Sequence, residues 1–522
     1  MNDFLNQADK ICRILNSYIW GTPMVLLMAG VGILMTVGTH FFQFVHIREW
    51  MSKSIGSIFS KKQKNITDKD SISPFQALCT ALAATIGTGN IAGVAMAVSV
   101  GGAGAVFWMW VSAFFGMMTA YAENVLGIRW RIKKDGKLQG GPMYYMEYGI
   151  AHKLKKPIIG KCFAVIFSFF CIFASFGMGN LVQINSISVA MESEFGISTV
   201  VVSCIVAVLV SVVIIGGTAG IGRFTEKMVP LMASLYIAGT LAFFVMNYRE
   251  IPRVFSTIFT SAFSGEALTG SVCGIVSKKT VEIGFKRGVF SNEAGIGSAA
   301  LAHSASSESE PAVQGMWGIF AVFFDTVVIC TLTAFVILSC TTDAASVYDS
   351  SPDSSYACID NGCRSADGKQ VLLISDKENP VTGYTNIVGI NDGHTADDAQ
   401  SGVNLTDCQK LEGVDLVTFA FSQKFGRWAG KLVAAAIFMF AFSTVIGWSF
   451  FGVRAWEYLF GSRFSVIYKL VFVSLIIVGG SLNMELIWNI ADTFNGLMAV
   501  PNLITLVLLS GTVFEVTKKY KF

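Results

Sequence analysis

The sequence predicts an all-α polytopic membrane protein with eleven transmembrane helices: one N-terminal extra helix, then a five-plus-five inverted repeat whose first and sixth core helices are broken. Three observations lead there. Hydrophobic residues make up 53% of the chain and only 14% of residues are charged, whereas soluble globular chains carry about 25% charged residues. The apolar residues gather in runs close to the roughly 20 residues that cross a bilayer as a helix, and Lys and Arg concentrate in alternate loops, the mark of cytoplasmic loops. Two of the runs are interrupted at their centres by glycine and polar residues, which an unbroken membrane helix has no use for.

Taken in order, the opening MNDFLNQADKICRILNSYIW carries too much charge, too late an apolar region and no small-residue cleavage site for a signal peptide. The first span covers residues 18–44. It is followed by a loop with Arg48, Lys53, Lys61, Lys62, Lys64 and Lys69, which belongs in the cytoplasm, so the N-terminal region 1–44 starts outside. Residues 76–101 cross outward and 106–128 return. The next loop, with Arg129, Arg131, Lys133, Lys134, Lys137, Lys153, Lys155, Lys156 and Lys161, is again cytoplasmic. Spans at 163–191, 199–215 and 229–247 complete a first repeat, 76–247, with Arg223 and Lys227 in an inside turn.

The second repeat, 274–340 and 416–512, holds spans at 280–302, 316–338, 431–452, 466–479 and 487–509. The tail 513–522, with Lys518, Lys519 and Lys521, then lies in the cytoplasm. The interrupted segments open the two sets: ALAATIGTGNIAGVAMAVSVGGAG (81–104) and TVEIGFKRGVFSNEAGIGSAALA (280–302). Five spans per set make the repeats enter the membrane in opposite directions, and inverted repeats that each begin with a discontinuous helix point to a secondary transporter with its site near the bilayer midplane. Two other readings of the first break are weaker. Gly87-Thr-Gly89-Asn-Ile-Ala92 matches a dinucleotide-binding pattern but lacks the preceding strand and the later acidic residue that pattern needs. Close helix packing explains the small residues, but not the symmetry of the two breaks.

Residues 341–415 interrupt the pattern with an acidic, turn-rich segment joining spans whose ends lie outside. Of the eleven Cys, seven sit in or beside apolar runs and read as small core residues. Cys340, Cys358, Cys363 and Cys408 form an even set in an oxidising setting, where disulfides fit better than a zinc site, since no CxxC pair or flanking His is present. Nothing in the net charge of +3 points to nucleic acid.

At GTGNIAGVAMA, GGAGAVFWMWV, GGPMYYMEYG, RGVFSNEAGIGSA and AFSTVIGWSFFGVRAWEYLFG the chain resembles the alanine/glycine:cation symporter family, also called the sodium:alanine symporter family, along nearly its whole length. That family is similar in architecture to neurotransmitter:sodium symporters. The resemblance implies import of alanine or glycine with sodium across a bacterial inner membrane, the ion being co-transported rather than held as a cofactor. The 341–415 segment is longer than the connection the family has there, and His303 through Glu310 is more acidic.

The residues themselves suit this chemistry. A zwitterion needs donors for its carboxylate, and unwound backbone at Thr88, Gly89 and Asn90 offers N–H groups beside a half-helix N-terminus. Carbonyls freed around Asn292 to Gly297, Gly295 among them, suit its ammonium. Ser443 and Thr444 offer adjacent hydroxyls for a sodium ion, or bond back to their own helix. The resemblance brings the carbonyls of Ala83 and Ile86 to those hydroxyls and walls the substrate with Phe176 and Trp448. Gln183 and Asn185 add polar contacts or tie helices together.

Asp325 and Asp492 are read as the ionisable residues inside apolar runs, and an intramembrane carboxylate is a functional-site candidate. Proton coupling through Asp325 is the runner-up mechanism. A channel is disfavoured by the inverted broken helices, because channels typically show repeated pore loops or filters such as TVGYG. An enzyme is disfavoured because there is no HExxH and the five His, at 40, 46, 152, 303 and 394, are scattered.

Overall fold

The computed structural model describes residues 12, 14–16, 18–58, 71–134, 137–263, 271–342, 413–426, 428–480 and 484–520, together with four short strands between 343 and 412. Seven of the described helices are long and apolar enough to cross a membrane, and an eighth crossing forms if Pro74–Thr85 and Thr88–Gly101, bent by 63°, count as one. Val245, at 75% exposure, and Leu470, at 65%, lie on two of these helices, and Val208, at 65%, on the shorter apolar helix Thr199–Ile215, as a lipid-facing surface requires.

The bundle is built around Gly104–Arg129, which packs against both Ser271–Asn292 and Pro311–Val322. Pro74 begins the first broken helix behind a reciprocal cap: Gln76 N donates to Ser73 Oγ at 3.1 Å and Ser73 N to Gln76 Oε1 at 3.0 Å. That helix stops at Thr85, a single turn follows at Thr88–Asn90, and Ala92–Gly101 resumes. The second break follows Asn292. Glu293, Gly295 and Gly297 take positive φ angles of 56°, 93° and 90° before Ser298–His303 resumes, and glycine reaches that region at little cost. The two broken segments are tied beyond their ends, where Ser307 N donates to Ile72 O at 2.8 Å and Ile72 N to Ala305 O at 3.2 Å.

Arg131 braces the turn after the second break, donating at 2.6 Å to the carbonyls of both Ser306 and Glu308. Burial lowers the pKa of its guanidinium. Pro501 lies inside the long helix Met484–Lys519, one position before Asn502, and takes an amide donor out of the ladder there.

Several features depart from the sequence reading. Some helices outrun the expected spans, 431–452 lying within Trp428–Phe460 and 163–191 within Pro157–Phe195, whereas the first, expected over 18–44, is the shorter Thr22–Gly38. Ile251–Phe263 and Gly413–Phe425 are helices beyond the expected set. The chain is not purely helical, since Ile132–Lys134 and Lys137–Gln139 form a hairpin, and Tyr356–Ile359, Val371–Asp376, Asn386–Gly389 and Gln409–Lys410 form an antiparallel sheet within the long loop. The side chains of Cys358, Cys363 and Cys408 fall outside the described residues, and the expected disulfides with them.

Candidate functional site

The two breaks meet inside the bundle, where Asn90 joins them. Its Oδ1 accepts from Gly87 N at 3.0 Å and pins its own turn, while its Nδ2 donates to Ser291 Oγ at 3.0 Å and to Asp325 Oδ1 at 2.8 Å. Asp325 also accepts at Oδ2 from Ser291 Oγ at 2.6 Å and Thr326 Oγ1 at 2.9 Å. The carboxylate is thus a fully buried acceptor for three donors from three segments. Asn292 Nδ2 extends the network to Thr326 Oγ1 at 3.0 Å, and Thr333 Oγ1 holds Asn90 O at 2.8 Å. On the other flank, Gln183 Oε1 accepts from Thr88 Oγ1 at 3.2 Å and Thr88 N at 3.4 Å.

Trp428–Phe460 brings Ser443 and Thr444 against the first break. Ser443 Oγ lies 3.4 Å from Ala83 O, and Thr444 Oγ1 lies 3.4 Å from Ile86 O. Both hydroxyls are also within reach of Phe440 O, at 2.8 and 3.0 Å, so bonding back to their own helix and facing the break occur together. Ile86 lies where the helix ends, with ψ at 88°, and its carbonyl turns out of the ladder. The result is a buried nest of neutral hard oxygens, Ala83 O, Ile86 O, Phe440 O and the two hydroxyls, the donor type that suits a small monovalent or hard cation. Among the described residues, no group of three or more His, Cys, Asp or Glu could hold a metal. A side chain at Gly87 would fill this nest, since its Cβ would lie 2.5 Å from Thr444 Oγ1. At Gly89 a Cβ would meet nothing closer than 3.9 Å.

One buried carboxylate, Glu123, was missed, and the role of another, Glu293, was not read. Glu123 and Glu293 are both buried, at 0% and 1% exposure, so Asp325 and Asp492 are not the whole set of intramembrane acids. Glu293 accepts from Trp448 Nε1 at 3.0 Å through one oxygen and from Ser298 Oγ through the other. Glu123 Oε1 accepts from Gly295 N at 3.0 Å and Asn502 Nδ2 at 2.6 Å, while Asn502 Nδ2 also reaches Gly295 O at 3.0 Å and its Oδ1 accepts from Tyr145 OH. The GGPMYYMEYG stretch therefore supports the second break, with Pro142 against Gly297 and Tyr145 on Asn502. An intramembrane carboxylate in AYAEN was a signal available in the sequence.

The structure brings together Ala83, Ile86, Thr88, Asn90, Gln183, Ser443 and Thr444 at the first break, and Glu293 links Trp448 to the second, where Asn292 and Gly295 lie. Phe176 stacks on Tyr468 with ring centroids 5.3 Å apart. Asn185 donates to Gly479 O at 3.3 Å, a bond between helices. Asp492 is paired with Lys286 Nζ at 2.8 Å.

A profile of the sodium:alanine symporter family matches residues 5–366 and 398–522. The chain belongs to that family. The unmatched stretch lies inside the long loop. Among relatives, the sodium/alanine symporter AgcS of Methanococcus maripaludis is 39% identical over 520 residues, 99% of this chain and 97% of its own length. An uncharacterized transporter of Haemophilus influenzae is 35% identical over 98% of this chain and 96% of its own. The amino-acid carrier protein AlsT of Bacillus subtilis is 31% identical over 100% and 93%. Like the rest of the sodium:alanine symporter family, this membrane protein is a transporter and not an enzyme.

Proposed function

We propose that the protein imports small neutral amino acids, alanine and glycine, across the bacterial inner membrane, coupled to sodium by alternating access. The observation that carries this reading is the oxygen nest between Ser443, Thr444 and the carbonyls of Ala83 and Ile86. It lies at the same break whose Thr88, Gly89 and Asn90 would receive the substrate carboxylate. An ion there and a substrate one turn away favour the same closed arrangement, which is what coupling requires. Asn292 and Gly295 at the second break, and Trp448 held by Glu293, complete the substrate site in this reading, with Gln183 ordering Thr88 and Phe176 as an outer aromatic.

The same reading takes the chain to cross the membrane eleven times. Thr22–Gly38 and Thr199–Ile215, with 17 residues each, and the broken pair Ser271–Asn292 and Ser298–His303 add to the eight that length and hydropathy support. Leaving out the first, ten remain as two sets of five of opposite sense, with the N-terminus and the 341–415 loop outside and the 513–522 tail in the cytoplasm. Labelled alanine uptake into proteoliposomes tests the function. An inward sodium gradient should drive accumulation above equilibrium, and identical uptake with and without the gradient would remove sodium from the mechanism.

Asp325 supports proton coupling as a second reading, because a fully buried carboxylate held by three donors could carry a proton between states. Asp325→Asn discriminates: loss of pH-driven uptake favours the proton.

Gly87 and Gly89 separate the ion nest from the substrate space. Gly87→Ala should cost most of the sodium dependence, since its methyl would displace Thr444 Oγ1, whereas Gly89→Ala should retain uptake and Gly89→Leu should lose alanine binding. Alanine binding and sodium-dependent melting of the monodisperse variants check this. Normal sodium dependence in Gly87→Ala would contradict the nest.

A further inference from the structure

A polar cavity lies further along Trp428–Phe460, the helix of Ser443 and Thr444, where that helix turns into Ser465–Gly479 and Thr199–Ile215 turns into Gly217–Met246. Its volume is about 470 Å³, and Arg454, Arg463, Lys469 and Glu457 line it, three cations against one carboxylate. Arg454 is 8% exposed, and its guanidinium donates to Thr218 Oγ1 at 3.1 Å and to Glu457 Oε2 at 3.3 Å. Lys469 Nζ holds Ile214 O at 3.1 Å, and Ser462 and Ser465 add hydroxyls at the start of the next helix. A half-buried cationic recess of this size is costly to keep among membrane helices unless an anion shares it. Its surroundings decide which anion. Ile215, at 78% exposure, lines the recess. Val466 at 60% and Leu470 at 65%, beside Ser465 and Lys469 in the chain, continue an apolar surface that faces lipid.

We propose that this cavity binds the phosphate of an anionic phospholipid, with Arg454, Arg463 and Lys469 around the headgroup and the acyl chains lying over Ile215, Val466 and Leu470. Basic recesses between membrane helices recognise such headgroups through charge, and guanidinium groups match phosphate oxygens in geometry as well. A soluble phosphate would gain the same cations but nothing from the apolar rim. The bound lipid bridges two interhelical turns, one of them at the end of the helix that carries Ser443 and Thr444.

The test is lipid retention by the purified full-length protein, read by native mass spectrometry after exposure to phosphatidylglycerol or phosphatidylcholine, with inorganic phosphate as a third arm. Wild type should retain phosphatidylglycerol at least about fivefold better than phosphatidylcholine, the scale of one lysine or arginine near an anionic surface. The preference should vanish in the double variant Arg463→Gln, Lys469→Gln. Ser462→Trp, which fills the recess without removing charge, should lose it as well and covers the case in which the double variant does not fold. Equal retention of the two lipids by wild type, or an unchanged preference in Ser462→Trp, would overturn the proposal. Displacement of the lipid by millimolar phosphate would also overturn it, by showing a soluble-anion site.

Discussion

Replacing Ser443 and Thr444 together by alanine is expected to raise the sodium needed for half-maximal alanine uptake by roughly a hundredfold, taking each lost hydroxyl as about tenfold within the usual range of site coupling. The reason is local. Each hydroxyl supplies one hard oxygen opposite a carbonyl of the first break, Ala83 O and Ile86 O, and alanine at either position removes the oxygen while helix propensity improves slightly. The double variant should fold and reach the membrane. Because coupling between two ligands is reciprocal, apparent alanine affinity should weaken most at low sodium and recover as sodium is raised. Uptake measured over a sodium series checks this, and an unchanged sodium dependence would remove both residues from the site.

Glu123→Leu is expected to abolish transport and to destabilise the protein, whereas Glu123→Gln should fold. Glu123 Oε1 is the acceptor for Gly295 N and for Asn502 Nδ2. A leucine strands both donors in the core, at about 1–3 kcal/mol each. Glutamine keeps one acceptor oxygen and most of the volume. The second break would lose its brace in the leucine variant, since Asn502 is also what grips Gly295 O. Thermal melting in detergent and alanine binding on the two variants read this out. Equal stability of Glu123→Leu and wild type would show that the carboxylate does not hold the break.

The breaks were legible because glycine and asparagine clustered inside an apolar run oppose a continuous membrane helix, through backbone entropy and an amide in hydrocarbon. The helix stops at Thr85 and again at Asn292, within the two segments where those residues cluster. Ser443 and Thr444 stood out as adjacent hydroxyls, but their pairing with Ala83 and Ile86 spans some 360 positions and came through family resemblance, not through spacing. Glu123 was overlooked because its helix reads as one apolar run and its partner Asn502 lies 379 positions away. Glu293 was visible among its neighbours, but its role depends on Trp448, 155 positions on. Phe176 illustrates the opposite difficulty. In so aromatic a chain, any one ring has many partners to choose from, and this one stacks on Tyr468. The helix Ile251–Phe263 escaped because it buries only Val254 and Ile258 as its apolar core face, too short a stripe to read as a span.

The most direct test of sodium coupling is alanine-dependent entry of radiolabelled sodium into proteoliposomes, followed together with a pH-sensitive dye inside the vesicles. Adding alanine outside should increase sodium entry while internal pH stays constant, and both Ser443→Ala and Thr444→Ala should reduce the alanine-dependent part. Internal acidification on adding alanine with no added sodium entry, abolished by Asp325→Asn, would contradict sodium coupling and assign the driving ion to the proton.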